Sequence, residues 1–419
     1  MATVATGTAA AQAIGIAFSP IITRLYGPEA FGLLGTFSAL VMVITPISAL
    51  CYPIAVVLPK RDEDAKALAK LSAYISLGIA LIVTLVLVIA GDWLLKLVGS
   101  EAISAFKFLI PVNILFAAWL QISQQWTIRK KLFKVKAKAD ILQAAFVNAI
   151  KSGIGLFHPL ASVLIIFSTI GHAFHTAMLY LGIKKDSSIT QPSNPVQSKT
   201  PIVNIAKNHR DFPLYRAPQV FINAISQSLP VLMLASFFGP ASAGFYTLGR
   251  KVLGLPSRLI GGAVGDVFYP RITEAAHKGE NLTKLIIKTT LSLAAIGILP
   301  FAIIIIFGPQ LFKVVFGDEW MVAGEYARWL SLWLFFMFLN HPSVKALPVL
   351  SAQRFHLVFS FFTITIRLLA LVIGYYLFNN DLVAIALFGI SGGLINIVLI
   401  VIVTNKSNSF DLKKNQMYK

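Results

Sequence analysis

Eight runs of more than 20 residues carry no Asp, Glu, Lys or Arg, among them 30–59, 152–183 and 382–405. Roughly 18 apolar residues suffice for a helix to cross a bilayer. Runs of this length, repeated along one chain, restrict it to a membrane-embedded helical bundle, because lipid offers no partner for unpaired backbone groups. The charge supply agrees: 13% of the 419 residues are charged, against about 25% in soluble domains. A soluble globule, a disordered chain and a secreted disulfide scaffold are excluded. Cys51 is the only cysteine, which removes intrachain disulfides and thiolate metal clusters.

Hydrophobic runs and turn residues place twelve spans near 4–24, 30–58, 70–90, 104–125, 139–157, 159–182, 214–238, 242–270, 285–307, 325–350, 355–378 and 382–404. Gly27-Pro28, His158-Pro159 and Gly239-Pro240 separate the crowded pairs. With no charge before Arg24, the start lacks the basic region of a cleavable signal, so the first segment is expected to be an uncleaved span. Loops after even-numbered spans, with the tail, hold 25 Lys and Arg, whereas loops after odd-numbered spans hold only Arg24, Lys96 and Lys313. The positive-inside bias therefore puts both termini in the cytoplasm. It also accounts for the net charge of +19 without nucleic acid.

The chain repeats itself. Leu25-Tyr26-Gly27-Pro28-Glu29-Ala30-Phe31-Gly32 returns as Phe237-Phe238-Gly239-Pro240-Ala241-Ser242-Ala243-Gly244. Leu58-Pro59-Lys60 returns as Tyr269-Pro270-Arg271, and the stretch from Gly91 to Val98 returns from Gly308 to Val315. The expectation is an all-α polytopic protein of about twelve transmembrane helices in two six-helix parallel repeats around a central cavity, an arrangement of transporters. Its parts are an N-terminal lobe (1–183), a polar cytoplasmic linker (184–212), a C-terminal lobe (213–404) and a cytoplasmic tail (405–419).

Charges inside spans are costly, about 2.5–3.5 kcal/mol at mid-bilayer on insertion scales, so those present need a purpose. Read as one helix of about 100° per residue, span eight gathers Arg250, Lys251 and Arg258 with Gly254, Gly261, Gly262 and Gly265 on one face, and aliphatic residues on the other. Glycines beside cations leave room for a bulky anion. The competing reading has Arg250 and Lys251 snorkelling to an interface and Arg258 pairing with Asp266. Lys151, Lys345 and Arg367 can add to the same cavity, and Arg24 stands at its mouth or snorkels. Asp266 is the one acid expected deep in a span; it either offsets Arg258 or takes up a coupling proton or Na⁺. His172 and His175 stand three apart in span six, but no Cys, Asp or Glu beside them in sequence completes a metal site. No P-loop, paired carboxylates or dinucleotide fingerprint is present, so no cofactor is expected.

The opening, Ala5-Thr6-Gly7-Thr8-Ala9-Ala10-Ala11-Gln12 with Ser19-Pro20-Ile21-Ile22-Thr23-Arg24-Leu25-Tyr26-Gly27-Pro28-Glu29-Ala30-Phe31-Gly32, resembles bacterial polysaccharide-biosynthesis flippases of the Wzx type. So does Ala49-Leu50-Cys51-Tyr52-Pro53-Ile54-Ala55-Val56-Val57-Leu58-Pro59-Lys60 with its acidic sequel Asp62-Glu63-Asp64. The chain departs in lacking a basic tail before span one. The resemblance implies a place in the multidrug/oligosaccharidyl-lipid/polysaccharide exporter superfamily and in the bacterial inner (plasma) membrane. The implied activity is transfer of undecaprenyl-diphosphate-linked oligosaccharide units to the outer leaflet by alternating access. Implied partners are that lipid-linked oligosaccharide, membrane lipids and other polysaccharide assembly proteins. One alternative is a multidrug or cation antiporter of the same superfamily, which would use acidic cavity residues. The other is a membrane glycosyltransferase or polymerase, which would want a large external loop with carboxylates; no outer loop exceeds about 18 residues, too few for a folded domain.

Overall fold

The computed structural model describes residues 2–97, 99–185, 201–256 and 262–417, and these residues are helical apart from short connections. The first series of long helices is α1 (Ala2–Leu25), α2 (Pro28–Ile44), α4 (Asp62–Leu97), α5 (Leu109–Arg129), α6 (Phe133–Gly155) and α7 (Ala161–Lys185), with a short α3 (Tyr52–Ala55) before α4. A short α8 (Ile202–Asn208) lies in the expected linker. The second series is α9 (Ala217–Phe238), α10 (Pro240–Pro256), α12 (Leu282–Phe316), α13 (Met321–Leu339), α15 (Gln353–Tyr376) and α16 (Asp381–Met417). Between them come α11 (Gly262–Lys278) and a short α14 (His341–Ala346). The element order of the first series thus returns in the second, as the peptide repeats predict.

The repeated turns show why. Gly27 is extended and Pro28 opens α2, where a missing N–H and a fixed φ cost nothing. Gly239, at φ +89°, ends α9 and Pro240 opens α10; only glycine takes that backbone without strain. At the head of α12 the Asn281 side chain accepts from Lys284 N at 2.7 Å. The Asp411 carboxylate there accepts from Leu282 N and Thr283 N at 3.2 and 3.0 Å. These bonds satisfy amides that the helix leaves open.

The chain forms two compact units, residues 1–243 and 244–419. In the first, α1 lies against α6, α5 against α4 and α7, α6 against α7, and α2 against α9. Gly32 sits so close to the Pro240 carbonyl that a side chain at 32 would collide with backbone. Phe37, Ile103, Ile110, Ile114 and Ile165 form one core cluster here. In the second unit α13 packs against α12 and α16, and α15 against α16. Gly308 and Gly324 bring α12 and α13 together; a Cβ on Gly308 would stand 2.7 Å from the Gly324 carbonyl oxygen. Small residues at a crossing are how helices approach closely in lipid.

Outward faces stay apolar: Leu81, Ile82, Leu85, Val88 and Ile89 on α4, and Leu291, Ile298, Leu299 and Ile306 on α12, are exposed. Among the described residues seven helices, those starting at Pro28, Asp62, Ala161, Phe212, Leu282, Gln353 and Asp381, are long and apolar enough to cross a membrane by themselves. The protein is a multi-pass integral membrane protein.

Two expectations about boundaries need correction. Span three was expected over 70–90, but α4 runs from Asp62, because Asp62, Glu63 and Asp64 fill its first turn and favour the positive helix N-terminus. The tail after 404 is helical through Met417 as part of α16. Span eight, expected as one helix over 242–270, is described as α10 through Pro256 and α11 from Gly262, and residues 257–261 lie outside the described residues.

Candidate functional site

Arg367 on α15 is the centre of the second unit's polar interior. Its guanidinium carbon stands 3.6 Å from the Trp333 ring centroid on α13 and 4.0 Å from that of Phe388 on α16. Trp333 and Phe388 meet edge to face at 5.5 Å, and Phe388 meets Tyr246 of α10 at 6.1 Å. Four helices therefore converge on one guanidinium. Glycines make the convergence possible: a Cβ on Gly392 of α16 would come within 2.8 Å of the Trp333 ring, so α16 lies flat on the indole only because position 392 is bare.

The aromatic faces hold the cation by their quadrupoles, yet they satisfy none of its N–H groups. The buried Nε of Arg367 has no hydrogen-bond partner among the described residues, and neither has the buried Tyr246 hydroxyl. Tyr246 and Arg250 are one turn apart on α10 and so share a face. An anion beside the guanidinium would engage the unused donors of Arg367 and Tyr246. This is a binding arrangement; among the described residues no three His, Cys, Asp or Glu side chains converge as a metal site would require.

The remaining residues singled out from sequence are scattered. Lys251 is exposed beside Arg250, and Lys345 is half-buried on α14. Arg24 is exposed in the last turn of α1. Arg258 lies outside the described residues, and so does the side chain of Asp266 on α11. Lys151 belongs to the first unit, where it lines a cavity of about 450 Å³ with Ser38, Asn113, Gln143, Ser168 and His172. The structure thus links Arg367 through Phe388 to Tyr246, one turn from Arg250, and separately sets Lys151 and His172 in one cavity.

One reading of the acids needs correction. Asp266 was expected to be the one deep acid, but Asp140 and Asp411 are both buried. Asp140 stands at the edge of the expected span five; it sits two turns inside α6, with its Oδ1 3.0 Å from His175 Nε2 and its Oδ2 2.6 Å from Lys136 Nζ. His175 therefore does have a carboxylate neighbour, 35 residues away in sequence and invisible to spacing along one helix. Trp333, Phe388 and Tyr246 were also missed. An aromatic in an apolar span looks like core, and only the pairing of helices shows which rings floor an arginine.

Residues 21–325 match the family described as "Polysaccharide biosynthesis protein". The succinoglycan biosynthesis transport protein ExoT of Rhizobium meliloti (strain 1021) is 20% identical over 314 residues, covering 75% of this chain and 61% of ExoT; the chain thus spans about three fifths of that curated relative. Two solved structures share the fold. The lipid II flippase MurJ, in an inward closed conformation, superposes with a TM-score of 0.70 at 13% identity over 100% of this chain and 91% of MurJ. A multidrug resistance MATE family transporter of the MOP superfamily gives 0.68 at 14% identity over 96% and 98%. Similarity to MurJ and MATE proteins across nearly the whole chain shows that it shares their helical fold. With nearly three quarters of its length matched, the chain belongs to the polysaccharide biosynthesis protein family.

Proposed function

We propose that this chain is a flippase for undecaprenyl-diphosphate-linked oligosaccharides, passing them from the cytoplasmic to the outer leaflet of a bacterial inner membrane for surface polysaccharide synthesis. The observation that carries the reading is Arg367, pinned over Trp333 and Phe388 with its Nε unpaired, while Tyr246, one turn from Arg250 on α10, packs on Phe388. A diphosphate supplies two adjacent anionic groups, which a guanidinium pair binds through charge-assisted hydrogen bonds. Arg24, Lys151, Lys251, Arg258 and Lys345 are the further positive groups proposed along the path, and Asp266 is the proposed coupling acid. The lobes are 1–183 and 213–404, joined by 184–212, with both termini cytoplasmic; rocking of one lobe against the other changes the leaflet served. The printed roles of ExoT, a transport protein for succinoglycan biosynthesis, and of MurJ, a lipid II flippase, support a lipid-linked saccharide as cargo.

The test is export in cells. Arg367→Gln should abolish surface polymer while the protein remains inserted at normal level, and Arg367→Lys should restore only part, since lysine lacks the planar fork and stacks poorly. Normal export by a well-expressed Arg367→Gln variant removes the reading. Multidrug or cation antiport, the alternative reading, would place a cationic drug against an arginine, which like-charge repulsion disfavours. Efflux of cationic dyes unaffected by overexpression separates the two.

A further inference from the structure

Two pairs of lysines stand where the longest apolar runs begin. Residues 71–91 of α4 and 289–312 of α12 carry no Asp, Glu, Lys or Arg. At about 1.5 Å per residue, each run fills the roughly 30 Å of hydrocarbon in a bilayer. Lys70 and Lys288 immediately precede these runs, and Lys66 and Lys284 lie one turn further out on the same helices. All four are exposed. The pairs are equivalent in the two repeats: Lys66, Lys70, Leu77 and Leu81 stand 218 residues before Lys284, Lys288, Ala295 and Leu299. The stretch from Gly91 returns from Gly308 at 217, nearly the same spacing. Leu77, Leu81, Ala295 and Leu299 are exposed as well, so each lysine pair tops an outward apolar stripe at the depth of lipid phosphates.

Other cations near these helix ends are spent within the protein. Arg129 and Lys130 pair with Asp62, Arg271 with Glu280 and Lys278 with Glu274. Among the described residues Lys66, Lys70, Lys284 and Lys288 form no such ion pair. On α12 the pair borders a groove of about 700 Å³. Its wall passes from Asn281, Thr283 and Asn408 at the polar end to Ile287, Leu291 and Ala295 beside the apolar run. Asp411 at the polar end is occupied by the amides of Leu282 and Thr283 and by the Thr283 hydroxyl. The helix N-terminus is thereby capped, and the positive charge offered by the groove is that of the two lysines. Cations first and aliphatic side chains next is the order of groups in an anionic lipid.

We propose that the α12 groove binds an anionic phospholipid of the membrane, its phosphate on Lys284 and Lys288 and an acyl chain along Ile287, Leu291 and Ala295. Lys66 and Lys70 on α4 hold a second such lipid. A zwitterionic lipid brings a choline that the same lysines repel, so its phosphate gains less. Each lysine beside an anionic lipid surface contributes roughly a fivefold preference, and a pair exceeds about tenfold. The inference is independent of the cargo, because none of these residues belongs to the Arg367 arrangement.

The full chain with a bimane label on Ala295→Cys can be reconstituted in vesicles of phosphatidylcholine and phosphatidylglycerol, with one or the other lipid brominated on its chains. Cys51 is buried and escapes the label. Quenching should report an association of phosphatidylglycerol at least about tenfold above that of phosphatidylcholine. The double change Lys284→Gln and Lys288→Gln should bring the ratio close to one. Changing both to Arg keeps the charge, should retain the preference and so reports on folding. Lys313→Gln, on the same helix but paired with Asp318, should leave the ratio as it is. Equal quenching by the two lipids, or a preference that survives the double Gln change, overturns the groove as a site and leaves the flippase reading standing. A label on Leu77→Cys reads the α4 pair in the same way through Lys66→Gln and Lys70→Gln, and equal quenching there removes the second site. Displacement of phosphatidylglycerol by undecaprenyl phosphate at a few molecules per protein would give the groove to a prenyl lipid and overturn the phospholipid assignment.

Discussion

The two series of helices follow the same order but solve the problem of an interior charge in opposite ways. Between α5, α6 and α7 the polar groups are held by hydrogen bonds and ion pairs: Asn113 on Thr169 and His172, Asp140 on Lys136 with His175 alongside. Between α13, α15 and α16 the charge rests on rings, with its Nε left unpaired. A satisfied network fixes tautomers and geometry. An aromatic floor holds a guanidinium in place yet leaves its donors available to something that comes and goes. Duplication supplied one scaffold, and divergence inside it left hydrogen-bonded polar groups in one unit and a ring-floored cation in the other.

The sharpest way to break this comparison is to remove the floor. Trp333→Ala deletes a nearly buried indole and should cost about 3–5 kcal/mol of stability, with export lost as Arg367 loses its position. Trp333→Phe keeps a face for the cation and should retain part of both, measured by thermal melting of the purified protein and by surface polymer in cells. If Trp333→Ala exports normally, the rings are only packing and the contrast with the first unit disappears.

A smaller effect is expected from the hydrogen-bonded side. Asn113→Ala removes the bonds to Thr169 and His172, and interhelical bonds of this kind in membranes average about 0.6 kcal/mol and reach about 1.7. Loss of about 1 kcal/mol in unfolding would fit a network of modest individual bonds. A loss as large as that of Trp333→Ala would mean both interiors depend equally on single groups.

The smallest change should come from outside both interiors. Glu280 accepts a hydrogen bond from Arg271, 2.5 Å between Nη2 and Oε2, which holds its carboxyl below the ordinary glutamate value. A depressed folded value means that any stabilisation is present above the unfolded value, about 4.3, and fades as the pH falls through the folded one. The pair is well exposed, so Glu280→Gln should melt indistinguishably from wild type at neutral pH. A clear drop on acidification that this variant abolishes would show the surface pair to matter more than such pairs usually do.

The helices were legible because hydrocarbon demands long uncharged runs, and such runs survive any rearrangement of neighbours. Where helices leave the hydrocarbon that signal stops: Asp62–Lys70 and residues 405–417 continue α4 and α16 with charges aboard, and read as loops. The site was half legible for a related reason. Arg367, Arg250 and Lys151 stand out as charges in apolar surroundings. Trp333 and Phe388 lie 34 and 21 residues from Arg367 and meet it only through helix pairing, which periodicity along one segment cannot encode. Asp140 was lost by its position at a span edge, where a carboxylate ordinarily signifies water.

The length of α4 and α12 has a mechanical consequence. At 36 and 35 residues and about 1.5 Å per residue, each measures roughly 50 Å, against about 30 Å of hydrocarbon. Some 20 Å of each therefore stands beyond the apolar slab as a cantilever. A tilt of about 20° within the bilayer swings the tip of such an arm sideways by about 7 Å. A modest rotation inside the bilayer is thus magnified into a displacement that spectroscopic rulers resolve easily, which makes these two long helices natural pointers for it.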